Sequence, residues 1–285
     1  MNPEVTLTQE QRQRILGILI GDGFVSKARH SIGGSQIVLR HSTKQLEYLK
    51  YKIHLLENIG IRMSEPKKWT TKLANGKTYS VYQSQSNFLK CLERIRRMLY
   101  PYGKKTIRTS IVQNMTCENL AILVLDDGSI QQSSSSGVPK YSGIRIATDC
   151  FSIPEHEVLI KHLRKRFGIV ANINYKKQKP YLYIGIIDSF RLVAICKEVL
   201  MKIPSLAYKW RAFYINSTET RVLSNSESLS DREIVTRLFL LHILQPNMDR
   251  NLNREVILKY YASIENFNRA LRISKARLRV EDMTH

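Results

Sequence analysis

Cysteine is scarce in this chain, and the four cysteines stand far apart at Cys91, Cys117, Cys150 and Cys196. None forms a CxxC pair and no histidine cluster accompanies them, so the sequence predicts neither a zinc site nor a disulfide framework. No apolar run approaches the ~18 residues of a membrane span, and the N-terminal stretch MNPEVTLTQEQRQ has no apolar signal core. We therefore expect no membrane association and an intracellular, reducing location, either an organelle (mitochondrion or chloroplast) or a prokaryotic cytoplasm.

Acidic residues are also few. The chain has 24 Asp and Glu and 45 Lys and Arg, which gives a formal net charge of +21. Such an excess indicates a polyanionic partner, most often nucleic acid. A membrane surface is an alternative, but the sequence has no long basic amphipathic helix. Positive charge kept only for solubility is the other alternative.

Two of the few acids occupy an unexpected place. In the stretch LAILVLDDGSI, residues 120–130, six apolar residues lead directly into Asp126 and Asp127 and then into a glycine. If the apolar run is a helix, the acids lie at its C-terminus, where carbonyls lack partners and the macrodipole is negative. A carboxylate is disfavoured there, so the pattern predicts that a cation meets it.

The same pattern occurs 105 residues earlier (127 − 22). In the stretch RILGILIGDGF, residues 14–24, a mostly apolar segment is again followed by an aspartate, Asp22, and a glycine. Similarity continues downstream, and PYGKKT places Lys105 where SLAYKW places Lys209, at an offset of 104 (209 − 105). The chain is therefore predicted to contain a duplicated domain of about 100 residues.

Each copy shows the same order of predicted elements. Thr8 and Thr116 are N-cap signals for the first helix of each copy. Two strands rich in β-branched residues, a second helix, a hairpin and a third helix follow. The hairpins turn at Asn75-Gly76 and around residues 178–180. We therefore predict an α+β protein built from two αββαββα repeats related by a pseudo-two-fold axis.

The predicted boundaries are 1–103 for the first repeat, 104–116 for a linker, 117–216 for the second repeat and 217–285 for a C-terminal helical extension. The polar stretch QQSSSSGVPK, residues 131–140, is predicted to be a loop that is mobile without a partner. The extension reads as two to four amphipathic helices. Both an appended module of helix-turn-helix type and helices packed on the second repeat remain open.

The two apolar helices predict a metal site. Gly17 and Gly21 are four residues apart, which allows a second helix to approach closely and brings Asp22 and Asp127 together. These carboxylates, with the backbone carbonyls of Gly21 and Asp126, form an oxygen-only set that suits Mg²⁺ or Mn²⁺. Bridged by a phosphate, such ions activate water and stabilise a leaving oxygen.

The two motifs, ILGILIGDG (residues 15–23) and LAILVLDDG (residues 120–128), resemble the signature of the LAGLIDADG homing endonucleases in their single-chain, two-repeat form. The resemblance covers about residues 8–215. It departs from the family pattern at Ile122, which replaces the small residue seen at Gly17, so the contact between the helices cannot be symmetric. It departs again at Ile20 and Leu125, which occupy a position that is often acidic in the family.

The resemblance implies roles for several residues. Asp22 and Asp127 correspond to the metal ligands, whereas the side chain of Asp126 receives no role. Lys105 and Lys209 correspond to basic residues that reach towards the scissile phosphates. Candidates for positioning water are His41 and Asp149.

The resemblance also implies that each repeat forms a curved antiparallel sheet and that the two sheets make a saddle along the DNA major groove. The candidates for DNA contact are polar or cationic side chains on the predicted strands and hairpins: Arg40, Lys67, Lys72, Gln83, Gln85, Arg145, Lys176 and Lys177. Because the two repeats differ, a long and asymmetric target is expected.

The leading hypothesis is a monomeric, divalent-metal-dependent endonuclease that hydrolyses both strands of double-stranded DNA at a specific site and leaves short 3′ overhangs, as the family does. A second hypothesis is a maturase that binds intron RNA and assists splicing. A third is a DNA-binding regulator that has lost cleavage. Retention of both motif acids argues against the third, because two carboxylates facing a phosphate do not help a protein that only binds.

Overall fold

The computed structural model describes residues 6–27, 33–72, 76, 78–133 and 140–213. The chain divides into two compact units, residues 1–212 and residues 213–285. The predicted extension, 217–285, lies outside the described residues, as do Asn75 of the first hairpin turn and residues 134–139 of the predicted loop.

Among the described residues, the first repeat contains seven α-helices and strands. In chain order they are α1 (Gln9–Ile20), β1 (Phe24–Val25), β2 (Ile37–Ser42), α2 (Leu46–Glu57), β3 (Lys67–Lys72), β4 (Thr78–Gln85) and α3 (Lys90–Leu99). A short 3₁₀ helix, Thr43–Gln45, precedes α2. This is the predicted αββαββα order.

The second repeat has the same order and follows a short helix, α4 (Thr109–Val112), that lies in the predicted linker. Its elements are α5 (Cys117–Asp127), β5 (Gly128–Ser133), β6 (Lys140–Ile146), α6 (Ile153–Phe167), β7 (Ala171–Lys176), β8 (Lys179–Gly185) and α7 (Ile186–Leu200). Two 3₁₀ helices follow, Pro204–Lys209 and Arg211–Phe213. None of the helices among the described residues is long and apolar enough to span a membrane.

The strands form two four-stranded antiparallel sheets with matching orders, β1-β2-β4-β3 and β5-β6-β8-β7. Alternation along β2 shows why each sheet has two different faces, since Leu39 and His41 are buried and Arg40 is exposed. The buried face of the first sheet packs on α2. The predicted α+β class is confirmed.

Both motif helices begin with a capping box. The hydroxyl of Thr8 accepts the N–H of Gln11, and the side chain of Gln11 accepts the N–H of Thr8. Thr116 and Asn119 make the same reciprocal pair at the start of α5. These bonds satisfy amide groups that have no partner within a helix, and they fix where α1 and α5 start.

Helices α1 and α5 pack directly against each other. A Cβ atom on Gly17 would lie 1.9 Å from Nδ2 of Asn119, and one on Gly21 would lie 2.2 Å from Oδ2 of Asp126. Such distances are impossible for real atoms, so the close approach requires glycine at both positions. The contact is asymmetric as predicted, because the glycines of α1 face polar side chains of α5.

The second hairpin turns slightly earlier than predicted. Its turn residues are Lys177 and Gln178, both with positive φ angles, and Pro180 belongs to β8. Proline lacks an N–H, but here it pairs only with β7, since the pairing of β8 with β6 begins at Leu182. The missing N–H of Pro180 therefore costs no hydrogen bond between β8 and β6.

Candidate active site

Asp22 and Asp127 lie together at the C-terminal ends of the two packed helices. Asp22 directly follows the C-cap of α1 and Asp127 is the last residue of α5. The two ends are joined by a hydrogen bond of 3.0 Å from the backbone N–H of Asp22 to Oδ2 of Asp126. The side chain of Asp22 is 47% exposed, and that of Asp127 is half-buried. The structure therefore brings together the two acids that the motifs single out.

Ionisation of both carboxylates is less favourable than usual. Burial raises the pKa of Asp127 to about 7, and the charges of Asp126 and Asp22 add to the effect. Burial also raises the pKa of Asp22, again with a contribution from Asp126. A divalent cation would remove this repulsion, and carboxylate oxygens are ligands that Mg²⁺ and Mn²⁺ prefer. The residues present therefore fit the metal that the motifs predict.

The two predicted lysines meet the two helix ends. Lys105 Nζ donates to two carbonyls at the end of α1, and Lys209 Nζ donates to two carbonyls at the end of α5. The accepting carbonyls, at 2.6–2.8 Å, belong to Gly21, Gly23, Leu125 and Asp126. An ammonium group thus offsets the negative end of each helix dipole.

The lysine contacts bear on the predicted carbonyl ligands. The carbonyls of Gly21 and Asp126 each already accept a hydrogen bond and keep one further lone pair. Burial lowers the pKa of both Lys105 and Lys209, although the nearby aspartates oppose the shift. Coordination of a metal by these carbonyls remains a prediction.

The side chain of Asp126 points into the protein and is buried, so it is not available as a free metal ligand. Lys52 Nζ lies 2.6 and 2.7 Å from its two oxygens, and the hydroxyl of Tyr48 donates to Oδ1 at 2.8 Å. Burial alone would raise the pKa of Asp126, but Lys52 and the hydrogen bonds outweigh it and lower the pKa. One oxygen of Asp22, one nitrogen of His41 and one oxygen of Asp126 lie within 4.8 Å of one another. Because Lys52 holds both oxygens of Asp126, this side chain is not free to bind an ion, and metal binding by Asp22 and Asp127 stays a prediction.

Of the two candidates for positioning water, His41 lies beside Asp22. Its Nδ1 is 3.9 Å from Oδ2 of Asp22, and its Nε2 is 3.4 Å from Lys52 Nζ. Burial lowers the pKa of His41 to about 4, with a contribution from the charge of Lys52, so the ring is neutral near pH 7. The other candidate, Asp149, forms an exposed ion pair with Lys179 at 3.4 Å.

Sequence reasoning missed Lys52 and Tyr48. A signal was available, since the buried side chains of α2 recur at the spacing of one helix face and Lys52 is among them. These residues are Tyr48, Leu49, Lys52, Leu55 and Leu56. A lysine on the apolar face of a helix needs a buried anionic partner, which here is Asp126.

Strand register places most of the predicted DNA contacts on one face of each sheet. Arg40, Gln83 and Lys67 are cross-strand neighbours, and Arg40 Nε donates to Oε1 of Gln83 at 3.1 Å. Gln85 shares their face, which is opposite to the buried face. Lys72, five residues after Lys67 on β3, points to the other face.

In the second sheet, Arg145 and Lys176 share the equivalent face. Arg145 pairs with Tyr183, which in turn pairs with Asn172, four residues before Lys176. The guanidinium of Arg145 lies 4.4 Å from the ring centre of Tyr181. Lys177 occupies the turn. DNA contact by any of the eight candidates stays a prediction.

A family model described as the LAGLIDADG DNA endonuclease family matches residues 12–189, more than half of the chain. The chain therefore belongs to this family, in agreement with the motifs, the duplicated fold and the paired aspartates.

Individual relatives agree with this assignment. The chain is 24% identical over 180 residues to "Probable intron-encoded endonuclease 1" of Wickerhamomyces canadensis, covering 63% of this chain and 75% of that protein. It is 22% identical over 204 residues to "Cytochrome b mRNA maturase bI2" of Debaryomyces hansenii, covering 71% and 74%. The chain spans less than half the length of several other curated relatives.

Among solved structures, the homing endonuclease I-WcaI bound to its DNA recognition sequence is similar, with a TM-score of 0.62 and 22% sequence identity. The match covers 74% of this chain and 88% of that one. It confirms the fold.

The raised pKa of Asp127 predicts an unusual pH dependence of stability without metal. Because folding raises this pKa from 3.8 to about 7, the group costs no stability below pH 4 and its full cost above pH 7. Asp127→Asn should therefore stabilise the protein in EDTA by about 2 kcal/mol at pH 8 and by much less at pH 4.5. Urea unfolding at both pH values measures the difference. Added Mg²⁺ should stabilise the wild type at pH 8 more than the variant. An equal effect of the substitution at both pH values would contradict the assigned environment of Asp127.

Proposed function

We propose that this protein is a site-specific homing endonuclease that hydrolyses both strands of double-stranded DNA at a long, asymmetric target and leaves short 3′ overhangs. The observation that carries the proposal is the pairing of Asp22 and Asp127 at the ends of two packed helices. Each end also receives a lysine, Lys105 at the end of α1 and Lys209 at the end of α5. Family membership supports nuclease chemistry at this point of the fold.

Asp22 and Asp127 would hold the divalent cation, Mg²⁺ or Mn²⁺. When bound, such an ion activates water for attack on phosphorus and offsets charge on the leaving oxygen. The protein contributes carboxylates that are already oriented by the helix ends. Burial and the charge of Asp126 raise the pKa of both groups, and the charge of Asp22 adds to the shift of Asp127, so a bound cation would favour the ionised forms.

Lys105 and Lys209 would offset the charge that develops on the phosphates. Each ammonium is fixed by two carbonyls, so it occupies a defined position before substrate arrives. Charge stabilisation of this kind depends on donors that do not need to reorganise during the reaction.

We further propose that repeats 1–103 and 117–216, joined by 104–116, each serve one half of the target. One protein chain can then contact both halves of the DNA target, which supports a monomer. The side chains on the two sheet faces differ, which supports an asymmetric target. A substrate of DNA also supports an intracellular location. The segment 217–285 is proposed as an appended extension.

A maturase acting on intron RNA is a second candidate. The similarity to the curated maturase of Debaryomyces hansenii over 71% of this chain favours it. The two functions are compatible on one scaffold, but only the nuclease uses a pair of repelling carboxylates.

Cleavage of a randomised duplex library tests the proposal. With Mg²⁺ or Mn²⁺ the full-length protein should release ends from one family of related sequences, with short 3′ overhangs on both sides, and EDTA should stop the reaction. No cleavage with either metal, or cleavage without sequence preference, would overturn it. Tight binding of intron RNA together with an uncleaved library would favour the maturase.

A further inference from the structure

The two halves of the active site are built differently. Counting from the motif glycines, Asp126 of α5 occupies the position that Gly21 occupies on α1. Only α5 therefore carries an extra carboxylate next to its terminal aspartate. The side chain of Asp126 crosses the helix contact and accepts the N–H of Asp22.

Three donor groups make four hydrogen bonds to the carboxylate of Asp126. Besides the N–H of Asp22 they are the ammonium of Lys52, which contacts both oxygens, and the hydroxyl of Tyr48. Asp126, Lys52 and Tyr48 are all buried. A fully satisfied, buried carboxylate has one orientation, so the backbone of Asp22 is held in one place.

Lys52 also reaches Asp22 through His41. An ammonium group can only donate, so Nε2 of His41 must be the acceptor of the 3.4 Å contact with Lys52 Nζ. The ring proton is then on Nδ1, which faces Oδ2 of Asp22 at 3.9 Å. Lys52 thus contacts both Asp126, which accepts the Asp22 amide, and His41, which lies beside the Asp22 carboxylate.

At the equivalent place, the described residues of the second repeat make different contacts. The residues after the two motif glycines start equivalent strand pairs, and by that register Thr148 takes the place of His41. Its hydroxyl bonds His156 Nε2 at 2.8 Å and accepts the N–H of Leu182 at 3.1 Å, so neither partner is a lysine or a carboxylate. Among the described contacts, Asp127 therefore receives no counterpart of the Lys52 and Asp126 pair.

We propose that Lys52, Asp126, Tyr48 and His41, here called the Lys52 network, are positioning residues for Asp22 alone. The proposal rests on the nuclease function argued above. The proposal includes that each aspartate serves the cleavage of one strand. Cleavage of the strand served by Asp22 then depends on the Lys52 network, and cleavage of the strand served by Asp127 does not.

Single-turnover cleavage of a duplex labelled on either strand tests the inference. The double variant Lys52→Met with Asp126→Leu removes both charges and the acceptor of the Asp22 amide while keeping similar volumes. We expect one strand to be cleaved about 100-fold more slowly, because small displacements of a reacting group have effects of that size. The other strand should stay within about threefold of wild type, and nicked duplex should accumulate.

A conservative variant separates positioning from folding. Lys52→Met with Asp126→Asn restores an acceptor for the Asp22 amide without restoring charge, so it should recover most of the lost rate. Circular dichroism and thermal unfolding confirm that each variant is folded. If the variant Lys52→Met with Asp126→Leu, here called the leucine variant, does not fold, Tyr48→Phe provides a second test. It removes the hydroxyl that donates to Asp126 and should slow cleavage of the same strand several-fold.

The matched control lies at the far end of the same two helices. Arg14 on α1 and Glu118 on α5 form an ion pair at 2.9 Å. Arg14→Met with Glu118→Gln removes this pair, and both strands should still be cleaved at rates within about threefold of wild type.

Two results would overturn the proposal. One is equal slowing of both strands by a folded leucine variant, and the other is no slowing of either strand. Mn²⁺ binding, followed through the paramagnetic resonance of the free ion, provides a readout without catalysis and should weaken several-fold in the leucine variant only. If the wild-type protein cleaves neither strand, the proposed function fails, and unchanged Mn²⁺ binding in the leucine variant then decides against the Lys52 network.

Discussion

Replacing Asp22 or Asp127 with asparagine is expected to lower the single-turnover rate of double-strand cleavage by at least about 10³-fold. Asparagine keeps the shape of the side chain but removes the negative charge that a divalent cation requires. The loss should affect the reaction and leave recognition intact, because the predicted DNA contacts lie on the sheet faces. Affinity for the target, measured in Ca²⁺ to prevent cleavage, should therefore change little.

Glu118→Gln is the matched control for these substitutions. Glu118 is an acid on the same helix as Asp127 but at its opposite end, where it pairs with Arg14. Removing its charge should leave the rate near the wild-type value. If Asp22→Asn and Asp127→Asn both cleave as fast as this control, the metal site has been placed wrongly.

Lys52→Met alone is expected to lower the free energy of unfolding by about 3–5 kcal/mol. The substitution leaves Asp126 buried without its cation, and neither of its oxygens can reach solvent because the side chain is fully buried. The double variant with Asp126→Leu should recover most of this loss, since a buried ion pair replaced by apolar groups is often neutral. Urea unfolding of the three proteins in EDTA measures both effects.

The comparison is informative because the single and double variants lack the same lysine. If Lys52 were a surface lysine, the free energy of unfolding would change by less than about 1 kcal/mol in both the single and the double variant. Equal stability of the wild type and Lys52→Met would show that Lys52 and Asp126 are not a buried pair.

The repeated order of elements was predictable because it depends on local patterns. Thr8 begins α1 through a capping box that the sequence shows directly, and the strands follow the β-branched residues. The pairing of Asp22 with Asp127 was also predictable, since two matching motifs at equivalent positions constrain each other. Neither inference required knowledge of distant contacts.

The Lys52 network was not predictable for the opposite reason. Lys52 and Asp126 are 74 residues apart and belong to different repeats, so no local pattern joins them. The strand faces show a related limit. Lys67 and Lys72 both appear as polar strand residues in the sequence, but only the register of β3 and β2 against β4 shows that Lys67 is the one that shares the face of Arg40.

The asymmetric contact between α1 and α5 means that the two halves of this chain are no longer interchangeable. Two copies of the first half would place Gly21 against Gly21 and leave a hole where the Asp126 side chain now fits. Two copies of the second half would bury Asp126 against Asp126 with no lysine to neutralise them. After duplication, each half has become the required partner of the other.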